Sequence, residues 1–402
     1  AGISAPPRNG ALAAAERFLS EKDAGTVSRI RRRVRPETML DEDVAKTVAA
    51  RMGGRTDASR LETFFGCPYK YYFAYVLGVR KREDAKSDGR VFGTLMHEVL
   101  ERFFERVMEG KVESEMVETL AGELFDAALL TDPAVAASAE DPAIARALVR
   151  LRREAVAVCR ILFDAEERSE FKPVFVEAVI GGETLPALIL DDGNGGKLSF
   201  RGRVDRVDAS DGKFYVVDYK TYKNAGLDFG EVYAGKRLQL FLYMEAIAED
   251  TGMSPVGVFY LPLSFDFSKE GASWRYSGCL IDDEEEAKRM DPAFGKEGES
   301  ILPCKKDSSG ALKSPVHLSG AAMRRVGAYV RSLAVMGAKQ AAEGKIAPEP
   351  LEHECMYCDY RGICAWSGTV GEVRPAKRDP ADPADFDPAH PREGLAVCDT
   401  EE

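Results

Sequence analysis

The chain has 402 residues, 45% hydrophobic and 30% charged, with 67 acidic against 55 basic side chains and a net charge of −12. This is a globular composition, long enough for one large domain with additions, and its sign excludes a protein that binds nucleic acid over its whole surface. No apolar run reaches the roughly 18 residues of a membrane span, and eight Cys are too few for a disulfide scaffold of this size, so a cytoplasmic protein without a membrane partner is expected.

The chain opens on Ala1-Gly-Ile without an initiator Met. Residues 1–55 are rich in Ala and Arg and helical in pattern, and read as the remnant of a preceding domain. Ser59-Arg-Leu-Glu62 reads as a capping box that opens a helix through Phe64 and Phe65. The aromatic stretch from Cys67-Pro68 to Leu77 suits a core. Gly93-Thr-Leu-Met-His97-Glu98 starts another helix, with Leu95, Val99, Leu100 and Phe103 on its apolar face. Its His97 and Glu101 are neighbours one turn apart, but Glu101 stands where a zincin has its second His.

Residues 111–170 read as charged helices, with loops around Asp132-Pro133 and Asp141-Pro142. Val174–Ile180 reads as a strand in which Glu177 is either solvent-facing or a secondary site residue. Gly193–Gly196 is a turn. Residues 198–208 and 213–219 then alternate in polarity around a predicted turn at 209–212, which makes a β-hairpin. In that register Asp205 falls near Val216, with Asp218 its diagonal neighbour, while Asp208 faces away. Asp218 and Lys220 share a strand face. Two carboxylates and a lysine there suit Mg²⁺ or Mn²⁺ and the activation of a water.

Lys236–Ile247 reads as a helix with Gln239 and Tyr243 on one face. Val256–Leu263 reads as an interior strand, 264–316 as a strand and loops, and 319–343 as a helix. His353-Glu-Cys355-Met-Tyr-Cys358 followed by Cys364 is a thiolate set that lacks a fourth member. It suits zinc or an iron–sulfur cluster, and His353 is a local candidate for the fourth ligand. Residues 369–402, rich in Pro and Asp, read as a disordered tail. Basic clusters at Arg29–Arg33, Arg80–Arg82, Arg150–Arg153 and Lys236-Arg237 read individually as solvated faces.

Gly202-x-x-Asp205 with Asp218-Tyr-Lys220-Thr221 resembles the signature of the PD-(D/E)XK nucleases in their RecB-like branch. Gly93-x3-His97 resembles that branch's histidine motif, and Gln239-x3-Tyr243 its Q-x3-Y motif. Glu62-x4-Cys67-Pro68-Tyr69-x2-Tyr72-Phe73 is similar to a segment of the B subunit of AddAB-type helicase–nucleases. The resemblance covers roughly 56–366 and implies an α/β, restriction-endonuclease-like mixed central sheet flanked by helices. It implies a nuclease domain over 56–368 that hydrolyses DNA, expected to be single-stranded at the site, as an exonuclease in end processing and recombinational repair with a helicase as partner.

By the same resemblance Asp205 and Asp218 hold Mg²⁺ (or Mn²⁺), and His97 is a further metal contact, with Glu177 a weaker candidate. Lys220 positions water or stabilises charge, and Gln239 and Tyr243 support the site. Cys67 joins Cys355, Cys358 and Cys364 around a [4Fe-4S] cluster that staples the domain. The alternative from another class is a non-catalytic DNA-binding scaffold of a helicase complex, stapled by iron–sulfur or zinc. An intact Asp205, Asp218 and Lys220 set disfavours it, because buried charges without a task are costly.

Overall fold

The computed structural model describes residues 23, 38–52, 54–80, 89–131, 141–191, 196–221, 226–263, 275–296, 299–364 and 382–391. The chain begins with α1 (Glu42–Met52), β1 (Arg55–Thr56), α2 (Ala58–Gly66) and α3 (Pro68–Tyr71), then three longer helices, α4 (Gly89–Met108), α5 (Val117–Thr131) and α6 (Pro142–Arg168). Next come β2 (Lys172–Ile180), β3 (Leu188–Asp191), β4 (Lys197–Phe200), β5 (Gly202–Ser210) and β6 (Lys213–Lys220). After α7 (Phe229–Ala234) and α8 (Gln239–Thr251) the chain returns as β7 (Ser254–Pro262), β8 (Ser277–Ile281), α9 (Glu284–Met290) and β9 (His317–Leu318). It closes with α10 (Gly320–Ala342) and the short α11 (Arg361–Cys364).

Six strands form the central sheet in the order β2-β5-β6-β7-β8-β9. It is mixed: β6–β7 and β8–β9 are parallel, the other neighbours antiparallel. Helices cover both faces. Phe214 and Val216 point into a core shared with α2, α7, α8 and α10, and Tyr215, Val217 and Tyr219 into one shared with α4, α5 and α6. Burial on both faces is why β7 reads as a near-continuous apolar run, and why β6, expected to alternate in polarity, is buried from Phe214 to Tyr219. A smaller sheet, β1-β4-β3, lies apart.

Several expectations are corrected. The strand predicted over 198–208 is two strands in two sheets, broken at Arg201. The turn is Asp211-Gly212 alone, both residues at positive φ, as a two-residue hairpin turn requires. Asp57, not Ser59, caps α2: its side chain accepts the Arg60 N–H. The region 264–316 also holds a helix, α9. The tail expectation for 369–402 fails at 382–391, where Phe386 is 1% exposed and packs edge-on to Phe229, Tyr233 and Tyr329.

Asp208 does face away from Asp205, but it is fully buried. It accepts hydrogen bonds from Arg206 Nε at 2.6 Å and Tyr215 Oη at 2.5 Å, with Arg206 stacked 4.1 Å over Phe104. Of the basic clusters, Arg150 and Arg152 are paired with Glu154 and Asp126. The cluster Arg29–Arg33, the residues Lys81 and Arg82, the turn at 193–195, the Asp132-Pro133 loop and Cys398 lie outside the described residues. Among those described, no helix is long and apolar enough to cross a membrane.

Candidate active site and cysteine cavity

The short turn fixes the centre of the site. A two-residue loop sets the last β5–β6 pair at Arg206–Val217, so Asp205 comes directly beside Asp218 rather than diagonal to it. The Tyr219 N–H donates to Asp205 Oδ2 at 2.5 Å. On the other side, Val176–Arg206 and Ala178–Val204 pair in the β2–β5 ladder, and Glu177 between them faces Asp205. Glu177 has a left-handed backbone, φ 46°, and its side chain is only 5% exposed. Three neighbouring strands thus carry three carboxylates in a row. An acidic residue in a strained strand position has its side chain re-aimed off the regular alternation, a frequent device beside active sites.

His97 joins the row from α4. A Cβ on Gly93 would lie 2.9 Å from Thr221 Cγ2, so the glycine lets the helix approach the end of β6 closely. One turn later His97 Nδ1 lies 3.1 Å from Glu177 Oε1 and 3.6 Å from Asp205 Oδ1. Ligand atoms of His97, Glu177 and Asp205 all fall within 4.8 Å of one another, a spacing suited to one metal ion. Asp218 stands outside this trio, its Oδ2 2.5 Å from Lys220 Nζ.

Lys220 also donates to Gln239 Oε1 at 3.1 Å, and Gln239 Nε2 donates to Tyr243 Oη at 3.1 Å, both from α8. A Cβ on Gly202 would lie 2.5 Å from Tyr243 Cε1, so the Gly of Gly202-x-x-Asp205 makes room for this tyrosine ring. The predicted residues Asp205, Asp218, Lys220, His97, Glu177, Gln239 and Tyr243 are therefore brought together where β2 and β5 meet the end of β6.

Electrostatics here oppose negative charge. Burial, reinforced by Asp218, pushes the Asp205 carboxyl well above its ordinary value. Burial raises Asp218 too, against the pull of Lys220. Burial alone would lower His97, but its hydrogen bond to Glu177 and the charges of Asp205 and Glu177 outweigh that and lift it to about 9. Such a cluster is poised for a cation, which would relieve the repulsion.

Sequence reasoning missed Glu62. Its half-buried carboxylate accepts the Leu238 N–H at 2.8 Å and so caps the start of α8, which has no side-chain cap of its own. The motif Glu62-x4-Cys67 was the available signal; its partner, 176 residues away, was not readable.

Cys67, Cys355, Cys358 and Cys364 line one cavity of about 150 Å³. Burial raises the Cys67 thiol to about 11, with Cys364 and Cys355 adding to it. The local alternative, His353, has a side chain 70% exposed and lies 3.5 Å from Glu352; it is not part of the cavity wall. Glu354, beside Cys355, is held by Lys70 at 3.1 Å and by Lys236. These cations keep its carboxyl below its ordinary value against the effect of burial.

Comparison with known families matches residues 56–365 to the PD-(D/E)XK nuclease superfamily. The chain belongs to this superfamily. Among curated proteins it is similar to the B subunit of the ATP-dependent helicase/deoxyribonuclease of Desulforudis audaxviator, 28% identical over 77% of this chain and 29% of the relative. The corresponding protein of Moorella thermoacetica is 28% identical over 79% and 30%, and that of Bacillus subtilis 27% identical over 79% and 30%. The chain thus spans about three-tenths of the length of these curated relatives. In this PD-(D/E)XK chain, Gly202-x-x-Asp205 and Asp218-Tyr-Lys220 lie on the neighbouring strands β5 and β6.

Proposed function

We propose that this chain is a metal-dependent DNA nuclease that hydrolyses phosphodiester bonds in end processing and recombinational repair, working beside a helicase. The observation that carries the reading is the row of Glu177, Asp205 and Asp218, flanked by His97 and by Lys220 in contact with Asp218. Carboxylate oxygens with one imidazole suit Mg²⁺ or Mn²⁺. Held there by Asp205, Glu177, His97 and Asp218, such an ion would act as a Lewis acid toward the phosphate and lower the pKa of a water.

Lys220, anchored by Gln239, is positioned to orient the attacking water and to offset charge as it builds on the phosphate. Tyr243 fixes Gln239. The names of the relatives join deoxyribonuclease to helicase. The 402 residues contain no G-x4-G-K-[ST] phosphate loop, so we assign unwinding to a partner or to another part of such an assembly.

We assign the four thiols to a [4Fe-4S] cluster: Cys67, Cys355, Cys358 and Cys364 line one cavity, and thiolates are the ligands such a cluster takes.

The test is degradation of single-stranded DNA in Mg²⁺ or Mn²⁺, with iron and acid-labile sulfide measured on the same sample. Asp218→Ala should abolish cleavage while iron content stays, and Lys220→Ala should lose at least ~100-fold. Wild-type cutting rates in either variant would remove the assignment.

A further inference from the structure

A second cavity, of about 350 Å³, opens beside the catalytic lysine. Lys220 and Gln239 belong to its wall, and so do Lys70 and Glu354, which it shares with the cysteine cavity. Four cationic side chains, Lys70, Lys220, Lys236 and Arg237, line it against three carboxylates, Glu62, Glu231 and Glu354. Four cationic side chains gathered in one hollow of a chain with net charge −12 offer a local phosphate contact of the kind an acidic protein needs in order to hold DNA.

The hollow is built rather than incidental. Arg237 has a left-handed backbone, φ 56°, uncommon for a bulky residue. Two contacts hold it so: Glu62 accepts the N–H of the next residue, Leu238, at 2.8 Å, and Glu231 accepts from Arg237 Nε at 2.6 Å. In this pose the guanidinium lies 5.7 Å over the ring of Tyr260, and Lys220 Nζ lies 5.2 Å over the same ring. Lys236 bridges to Glu354 and thereby to Lys70, so the far wall is anchored beside Cys355. A strained basic residue fixed on the same aromatic floor as the catalytic lysine is a functional arrangement rather than a packing one.

We infer that this cavity seats a backbone phosphate of the substrate strand adjacent to the one being cut, with Arg237 and Lys236 as its binding residues and Glu62 as a positioning residue. The inference rests on the nuclease reading above. Glu231 and Glu354 hold the two cations in place until the strand enters, and the phosphate then takes over part of their pairing. Binding at one remove from the reacting phosphate fixes the register of the strand, so that the neighbouring linkage lies between Asp205 and Lys220.

The test uses the full chain and single-stranded oligonucleotides in Mg²⁺. Arg237→Asn removes the charge with a residue that tolerates the left-handed backbone; Lys236→Gln is its companion. Each should raise KM about tenfold, the usual scale for one charge-assisted hydrogen bond, with the melting temperature unchanged. Each should also flatten the dependence of log Kd on log salt by about 0.7. In a set of oligonucleotides each carrying one uncharged methylphosphonate, a single position should weaken wild-type binding and leave Arg237→Asn no weaker than on the unmodified strand.

Unchanged KM and salt slope in both variants would overturn the inference. So would a fall in kcat together with melting temperature, or a loss spread evenly over all methylphosphonate positions. A wild-type chain that neither binds nor cuts DNA would instead overturn the nuclease reading, a separate result.

Discussion

Burial of Asp205 and Asp218 side by side disfavours both charges, and the metal-free fold bears that cost. The Asp205 carboxyl is raised in the folded chain, so its contribution to stability is complete below the unfolded value of roughly 3.9 and is lost as pH rises through the folded value. Asp205→Asn keeps an acceptor for the Tyr219 N–H and removes the charge. At neutral pH without divalent ions it should be more stable than wild type by about 1–2 kcal/mol. The gain should vanish toward pH 4, and Mn²⁺ should raise the melting temperature of wild type far more than that of the variant. A variant that melts lower than wild type at pH 7 would contradict this account. That Asp218 and Lys220 share a strand face was readable because a strand repeats every two residues; their roles were implied only by the resemblance. The aim of Glu177 was not, since a left-handed backbone inside a strand is imposed by the neighbours and not by local preference.

At the scale of elements, the β5–β6 hairpin uses its two faces differently. One presents Asp205, Asp218 and Lys220; the other buries Arg206 with Asp208 beneath Phe104 and Tyr215. Removing one partner leaves the other charge buried and unpaired. Asp208→Ala should therefore destabilise the fold by about 3–5 kcal/mol in urea unfolding, while cleavage by the fraction still folded keeps its rate. A loss under about 1 kcal/mol would mean that water reaches Arg206. Strands β2, β6 and β7 and helices α8 and α10 were legible from periodicity. The hairpin's register was not, because four turn-forming residues at 209–212 allow more than one turn, and each choice slides Asp205 along its partner. Phe386 could not be read as core either: it is one aromatic in a Pro- and Asp-rich stretch, and what buries it is the set of rings on α7 and α10.

Across the whole molecule, the cysteines join positions far apart in the chain. Cys67 follows α2, whereas Cys355, Cys358 and Cys364 come after α10. A staple between such distant points removes much freedom from the unfolded chain, and loading it becomes part of folding. Cys67→Ala should lose iron, melt lower than wild type and cut DNA more slowly although the catalytic row is untouched; Cys304→Ala should do none of these. Full iron and a wild-type melting curve for Cys67→Ala would refute the four-thiol assignment. The cavity has a consequence for how this unit can be joined to others. The matched region runs from residue 56 to 365, and the thiol cavity brings Cys67, from its early part, beside Cys364 at its end. Nearby, Met39 pairs with Lys345 as an isolated bridge, again bringing an early and a late segment together. A polypeptide whose margins meet can be spliced into a host at a single corner, with little demand on the host's shape.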